Sequence, residues 1–387
     1  MDKKESGSNL PDKFEFPIFN SSSSCCAAPA ETSPNRAAGL SQSFVTGSMD
    51  TSVGPIPQVT SQLRGQDHWG SIKARWGVGR MDYAVDPGLY ALGRPDSNSA
   101  VLVTANYKMS FDTLRVSLPG ISAWILVLDT KGINVWCAAG KGTFGTGELI
   151  NRIDFTGLKN VVTHRKIIVP QLGAPGVAAH EIKRATGFKV QYGPVRAKDL
   201  PLYLESGWKA TPAMRMITFP MKDRAVLIPI EIVATAKPFA IIALSAVALS
   251  GIGGPDGFWA NTFNYGLFAV GAVLCAILSG AALIPLFLPY LPGRAFSLKG
   301  FFTGLIIAVI LLYLRNANLQ VWAGMIEALA WLLIIPAVSS YLAMNFTGCS
   351  TYTSLSGVKR EMRWALPAQI VAGALGVIIW MTSLLIA

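Results

Sequence analysis

Two patterns of apolar residues divide the chain. Up to about residue 225 the apolar runs are short and alternate with amphipathic stretches; beyond it five long apolar segments follow, at about 230–252, 266–289, 301–315, 321–343 and 365–387. The first pattern predicts an α/β fold, a mostly parallel sheet with helices on its faces. Strands are expected at Ala100–Ala105, Ala123–Leu128 and, after the turn Asp129–Gly132, at Ile133–Trp136. Helices are expected at Tyr107–Leu118, with Ser110 as its N-cap, and at Phe144–Phe155. The alternation continues through Ile167–Val169, Gly176–Thr186, Phe188–Tyr192 and Lys198–Glu205.

The second pattern predicts membrane spans. Each segment approaches the roughly 20 residues needed to cross a bilayer, the third being the shortest. Three regions result: a flexible tail over residues 1–60, an α/β domain over 61–225, and a transmembrane domain of five helices over 226–387. The tail reading rests on Ser, Pro, Gly and Ala enrichment without a sustained period.

Loop charges orient the spans. The connections Gly253–Tyr265 and Arg315–Gln320 hold none and one of the Lys and Arg residues, whereas Pro292–Gly300 holds Arg294 and Lys299, and Cys349–Trp364 holds Lys359, Arg360 and Arg363. The α/β domain is therefore expected on the cytoplasmic side of the cell (inner) membrane, with the C-terminus outside. The charged N-terminus, Met1 to Glu15, has no apolar core of the kind a secretory signal needs, which points the same way.

Composition changes this picture little. Only 14% of residues are charged, against roughly 25% in soluble domains, as the spans require. A net charge of +11 raises the question of nucleic acid. No Lys/Arg block of five appears, however, and no aromatic-basic motif interleaves with the charge, so the membrane explains the basic residues better. Five scattered cysteines (Cys25, Cys26, Cys137, Cys275, Cys349) make no disulfide framework. Cys25-Cys26 is either a soft-metal pair or incidental.

The candidate chemistry narrows by elimination. Gly140, Gly142 and Gly145 fit GxGxxG after the expected strand, but the acidic residue a dinucleotide site needs about 20 positions on is missing. A Walker A loop fails because Val135 stands where its first glycine belongs. His68, His164 and His180 lack the D-x-H-x-x-G pattern of the commonest cobalamin domains, and none has zinc spacing. Glu327, inside an apolar segment, is costly unless paired or near the interface, and a helix–helix contact is the plain reading. Cys137 remains. Following an expected strand, it stands at the sheet edge where such folds bind ligands. A cysteine opening a helix beside Lys141 favours its thiolate form. Ala138, Ala139, Gly140 and Gly142 leave little bulk, so a large flat ligand can approach the backbone.

These residues resemble a known family. Asn134–Lys141 (NVWCAAGK) is similar to the cap-helix motif of the corrinoid protein of mercury methylation, a relative of the corrinoid iron–sulfur protein of the acetyl-CoA pathway. The likeness extends through Val103–Asp112 (VTANYKMSFD), Ile125–Lys141, Pro170–His180 (PQLGAPGVAAH) and Asn345–Val358 (NFTGCSTYTSLSGV). The cysteine within NVWCAAGK separates the methylating branch from its acetyl-CoA pathway relatives.

The resemblance implies a Rossmann-like corrinoid-binding domain holding a cobalamin-type cofactor, with the Cys137 sulfur as the axial cobalt ligand. Asn134, Val135, Trp136, Ala138, Ala139, Gly140 and Lys141 would complete the cap helix. Thr104 would face the cofactor, or else cap the turn after its strand. The implied activity is a corrinoid-dependent methyltransferase converting Hg(II) to methylmercury through a Cys-ligated methyl-cobalt species. The thiolate suits it, because a strong donor favours the oxidised cobalt left when methyl departs with its electrons. Implied partners are a ferredoxin-like reductant with two [4Fe–4S] clusters and a methyl donor, folate-linked in the family and delivered by a methyltransferase. Membrane lipid completes the surroundings, and no nucleic acid is expected. A methyl carrier of one-carbon metabolism and a non-catalytic corrinoid-binding membrane protein are the alternatives. Cys349, on a loop of the cytoplasmic side, is either a relay for Hg(II) or a simple loop cysteine.

Overall fold

The computed structural model describes residues 38–346 and 355–386. Cys25, Cys26 and Cys349 lie outside them. Among the described residues seven strands form one mixed sheet in the order β1-β2-β3-β5-β4-β6-β7. They are β1 (Gly47–Thr51), β2 (Gly54–Val59), β3 (Gly88–Leu92), β4 (Val101–Ala105), β5 (Ala123–Leu128), β6 (Lys166–Val169) and β7 (Lys189–Tyr192). Pairing is parallel for β2–β3, β4–β5, β4–β6 and β6–β7, and antiparallel for β1–β2 and β3–β5.

The central strands read as continuous apolar runs because both faces are covered. Val101, Val103 and Ala105 of β4 join Trp124, Leu126 and Leu128 of β5 in one core cluster. Leu102 joins Ala123, Ile125 and Val127 in the other. This is the period-2 alternation of a pleated strand. The first face is covered by α4 (Thr146–Phe155), the short α5 (Leu158–Val161) and α6 (Ala179–Thr186), and the second by α2 (Lys108–Val116) and α7 (Leu200–Glu205).

Two expectations are corrected and one is sharpened. The sheet begins inside the supposed tail, because residues 47–59 form a hairpin closed at Thr51 and Gly54, whose φ is +105°. The sheet keeps the expected parallel majority, four pairings of six, and two antiparallel pairs make it mixed: the β1–β2 hairpin and, near the centre, Gly88–Leu92 against Ala123–Val127. Ile133–Trp136 is not a strand. Lys131 and Gly132 turn the chain with φ of 59° and 69°, and α3 (Val135–Lys141) starts directly after, with the Asn134 side chain as its cap. A carboxamide placed to accept an exposed helix N–H outweighs the β preference of a four-residue run.

Smaller shifts have local causes. The second helix starts at Lys108, with Tyr107 rather than Ser110 at the N-cap. The glycine triplet joins two helices instead of a strand and a helix: Gly142 is the left-handed C-cap of α3 and Gly145 the N-cap of α4. A helix α1 (Gly65–Arg75) precedes β3.

After α8 (Met221–Ala225) the described elements are helices. Among the described residues five stretches are long and apolar enough to cross a membrane: Met221–Ile252, Phe258–Phe287, Phe296–Arg315, Trp322–Asn345 and Gly357–Ile386. They comprise α8 and α9 (Ile228–Ile252); α10 (Phe258–Asn261), α11 (Leu267–Leu278) and α12 (Ile284–Phe287); then α13 (Phe296–Arg315), α14 (Trp322–Asn345) and α15 (Leu355–Ile386). The second stretch is broken by π-helical turns at Thr262–Gly266 and Ser279–Leu283. In α13, Gly300 and Gly304 sit so close to α14 that a Cβ would come within 2.5 Å of Ser340 Cα and 2.7 Å of Pro336 Cα. Small residues four apart allow such an approach. Glu327 of α14 is paired, accepting a 2.9 Å bond from Arg315 Nε of α13, so its role is a helix–helix contact.

Candidate functional site

The site lies at the carboxyl ends of β4, β6 and β7, where open α/β sheets bind their ligands. A cavity of about 460 Å³ opens there, lined by Thr104, Pro170 and Gly193 at or just beyond these strands. Met109, Ser110, Thr113 and Leu114 of α2 form one side. Val226, Leu227 and Ile230 add apolar surface at the start of α9, and Arg75 and Arg80 bring positive charge to a largely apolar wall.

Asn134, Val135 and Trp136 line the same cavity from α3. The wall stops short of Cys137, whose side chain is partly buried and packs against the core cluster beneath the helix. Its backbone N–H donates to Asn134 Oδ1 at 2.9 Å, which fixes the first turn. Ala138 and Ala139 do not form an open ledge, as expected from their size, but are buried in the core with 0% and 6% of their surface exposed. Small size serves packing there: Ala139 Cα would lie 3.2 Å from a Cβ on Gly176. Gly140 keeps the ledge role. Three residues after Cys137 and on its face of the helix, it has nothing within 4 Å of where a Cβ would stand, and neither has Gly142. Lys141 is exposed.

Thr104 is 4% exposed and lines the cavity. The turn after β4 is organised by Asn106 instead, which the sequence reading passed over. Its Oδ1 accepts from Thr130 N–H at 3.1 Å, Thr130 Oγ1 at 2.8 Å and Gly132 N–H at 2.9 Å. Thr130 Oγ1 is also 2.6 Å from the Ile133 carbonyl oxygen. Asn106 thus ties the end of β4 to the loop that delivers α3. The available signal was an asparagine directly after an apolar strand, a side chain able to satisfy loop amides. Arg75 and Arg80 were likewise passed over, since helix α1 was not expected.

The remaining candidates fall elsewhere. His164 Nε2 is 2.9 Å from the Ser99 carbonyl oxygen, a structural contact. His180 is exposed on α6. Among the described residues no group of three His, Cys, Asp or Glu side chains is placed to hold a metal ion.

Beside the cavity stands a network of buried charge. Asp67 of α1 meets Lys108 Nζ at 2.7 Å and Arg115 Nη2 at 2.8 Å, and Asp112 meets the same two cations at 2.7 and 2.8 Å. Burial raises the Asp67 pKa, but the Lys108 hydrogen bond, the Arg64 N–H, the Lys108 charge and Arg115 together bring it down to about 2. Two of these residues fall within Val103–Asp112, so that segment anchors α1 as well as framing the pocket.

The donor chemistry suits a flat, metal-bearing macrocycle, although the Cys137 side chain packs against the core beside the cavity rather than lining it. A soft sulfur stands on a capped helical turn, glycine leaves its helix face open, and the neighbouring cavity is apolar with few polar groups, as cofactor pockets are.

Residues 78–204 match the family described as CO dehydrogenase/acetyl-CoA synthase delta subunit. Curated relatives carry the name of another subunit. The chain is 36% identical over 129 residues to the acetyl-CoA decarbonylase/synthase complex subunit gamma of Methanopyrus kandleri, covering 33% of this chain and 27% of the relative. It is 35% identical over 133 residues to subunit gamma 2 of Methanosarcina thermophila, covering 33% and 28%. The subunit gamma of Methanothermobacter thermautotrophicus is 35% identical over 128 residues, again covering 33% and 28%. The chain thus spans little more than a quarter of the length of these relatives. The family likeness falls on the stretch from β3 to α7, which holds the cavity's sheet edge, the Asn106 turn and Cys137.

Proposed function

We propose that the chain is a membrane-embedded, corrinoid-dependent methyltransferase that methylates inorganic Hg(II), with Cys137 as the residue that would hold the cobalt. The observation that carries this reading is the placement of the Asn134–Lys141 motif on a capped helix at the sheet edge, beside an apolar cavity. When bound, a corrinoid supplies a cobalt centre able to accept and release a methyl group. The chain's own residues do the rest. Asn134 holds the backbone of Cys137, Asn106 fixes the loop before it, and Thr104 with Val135 and Trp136 walls the pocket. The Cys137 sulfur would hold the cobalt and lend it electron density, which would suit methyl transfer to an electrophile such as Hg(II).

The five spans would hold this domain at the cytoplasmic face of the cell membrane, with the basic loops inside. Electrons would come from a ferredoxin-like protein with two [4Fe–4S] clusters, since the five cysteines of this chain have no four-cysteine cluster spacing. The methyl donor would be folate-linked.

A second reading is a methyl carrier of one-carbon metabolism. The likeness of the α/β half to subunits of the acetyl-CoA decarbonylase/synthase complex favours it. The readings share the cofactor and differ in the acceptor. The test is the visible spectrum of the purified protein, followed by methylmercury formation with the ferredoxin-like reductant. A thiolate-ligated cobalt spectrum that Cys137→Ala abolishes, together with lost methylation, supports the mercury reading. Full methylation by Cys137→Ala sinks it, and an intact spectrum without any methylmercury leaves the one-carbon carrier.

A further inference from the structure

Helix α1 is amphipathic in reverse. Its inward face carries Asp67, buried between Lys108 and Arg115, with Gly70 against Tyr83 and Ser71 Oγ 3.3 Å from Met109 sulfur. Its outward face carries Trp69, Ile72 and Trp76, exposed by 60%, 47% and 47%, and Val78 just beyond is exposed by 61%. Spacings of three and seven put Trp69, Ile72 and Trp76 on one stripe. An apolar stripe with two tryptophans, held outward by a charged inner face, marks an interaction surface.

The fold says what meets this stripe. Gly77, next to Trp76, touches the first apolar span: a Cβ on it would lie 3.2 Å from Ile230 Cδ1 and 3.6 Å from Val233 Cγ1. Both belong to the opening turns of α9, within the span Met221–Ile252. The C-terminal end of α1 therefore stands where this span enters the bilayer. The charge agrees. From Gly65 to Arg80 the only acid is Asp67, already buried in its ion pairs, whereas Lys73 and Arg75 are exposed and Arg80 half-exposed. Lys73 Nζ also lies 5.9 Å from the centre of the Trp69 ring. Tryptophan at the interface and basic residues toward acidic headgroups are how a helix lies on a membrane.

We infer that α1 is an interfacial helix, lying on the acidic lipid surface of the membrane that the five spans cross, with Trp69, Ile72 and Trp76 in the headgroup region. It is then a second attachment, through the α/β domain itself. That contact holds the cavity beside Arg75, Arg80 and Ile230 at the membrane surface. The inference rests on the membrane placement of the spans and on no cofactor.

The test places the photo-crosslinker benzoylphenylalanine at Ile72 in the full chain. Two reference sites are Ile241, exposed along α9, and Lys183, exposed on α6. The protein is reconstituted in phosphatidylethanolamine–phosphatidylglycerol vesicles and adducts are read by mass. Lipid adducts at positions 72 and 241, and none at 183, are expected, with the yield at 72 falling at least threefold when phosphatidylcholine replaces phosphatidylglycerol. Adducts at 241 without any at 72 overturn the inference, as does a protein–protein adduct at 72 or a yield there indifferent to lipid charge. No lipid adduct at 241 would overturn the span placement itself.

Discussion

The side-chain oxygen of Asn134 accepts the backbone N–H of Cys137 at 2.9 Å, so the proposed ligand and its cap belong to one helical turn. An N-cap of this kind contributes about 1 kcal/mol. Asn134→Ala should therefore fray the first turn of α3. Alkylation of the Cys137 thiol in cofactor-free protein, followed peptide by peptide, should speed up about fivefold. An unchanged rate would show that the cap does not hold the turn.

Asn106 makes a similar claim on the preceding loop. Asn106→Ala leaves the Thr130 N–H and the Gly132 N–H without their shared acceptor, while the Thr130 hydroxyl keeps the Ile133 carbonyl. Each buried donor so orphaned costs about 1–3 kcal/mol. Amide hydrogen exchange at residues 129–133 should accelerate at least tenfold, with the β7 edge unaffected. Protection that survives in this loop would mean another acceptor carries it.

The Asp67 network sets an acid limit. The folded-state pKa of about 2 lies below the ordinary carboxylate value of 3.8. A depressed carboxylate stabilises the fold above its unfolded pKa, and the contribution disappears as pH falls through the folded value. The wild-type α/β half should therefore lose stability between about pH 4 and pH 2, and Asp67→Asn should remove that dependence. At neutral pH the same variant should cost about 3 kcal/mol, since two buried cations then share one carboxylate. Thermal melts followed by near-ultraviolet circular dichroism report both, and a variant that keeps the wild-type acid slope would contradict the assignment.

Among the membrane helices, Arg315 and Glu327 join α13 to α14, and Arg315 also stacks 4.4 Å from the Phe268 ring centre and donates to the Asn264 carbonyl at 3.0 Å. Glu327→Gln should lower the melting temperature of the detergent-solubilised protein by several degrees. The double variant Arg315→Met/Glu327→Leu should recover most of the loss, because removing both charges avoids stranding one in an apolar setting. A double variant as unstable as the single would give the pair a role beyond packing.

How much of this was legible before the fold was known depended on range. The long apolar segments were readable, because a bilayer demands length and composition of each helix separately. Strands β4 to β7 were readable from short apolar runs bounded by turns. The motif around Cys137 was readable as a candidate site, although its local structure was not. Three of the four residues at Ile133–Trp136 are apolar or aromatic and suit a strand, and only the cap made by Asn134 and the turn at Lys131-Gly132 favours the helix.

By itself, then, the sequence determined the two-part division and the apolar spans, and singled out Cys137 as a candidate. Tertiary structure decided what depends on distant partners. Strands β1 and β2 became visible only when paired, since they are rich in polar, Gly and Pro residues and gain burial from the sheet they complete, and β3 is a five-residue run too short to stand out until β5 pairs with it. Ala138 and Ala139 turned inward because the core beneath α3 takes them, leaving Gly140 open. Glu327 acquired its cation from another helix, and Asn106 its donors from a loop more than 20 residues on. Helix α1 shows the reason most plainly. Its apolar stripe faces outward because Lys108 and Arg115, more than 40 residues away, supply an inner surface that only a carboxylate can satisfy.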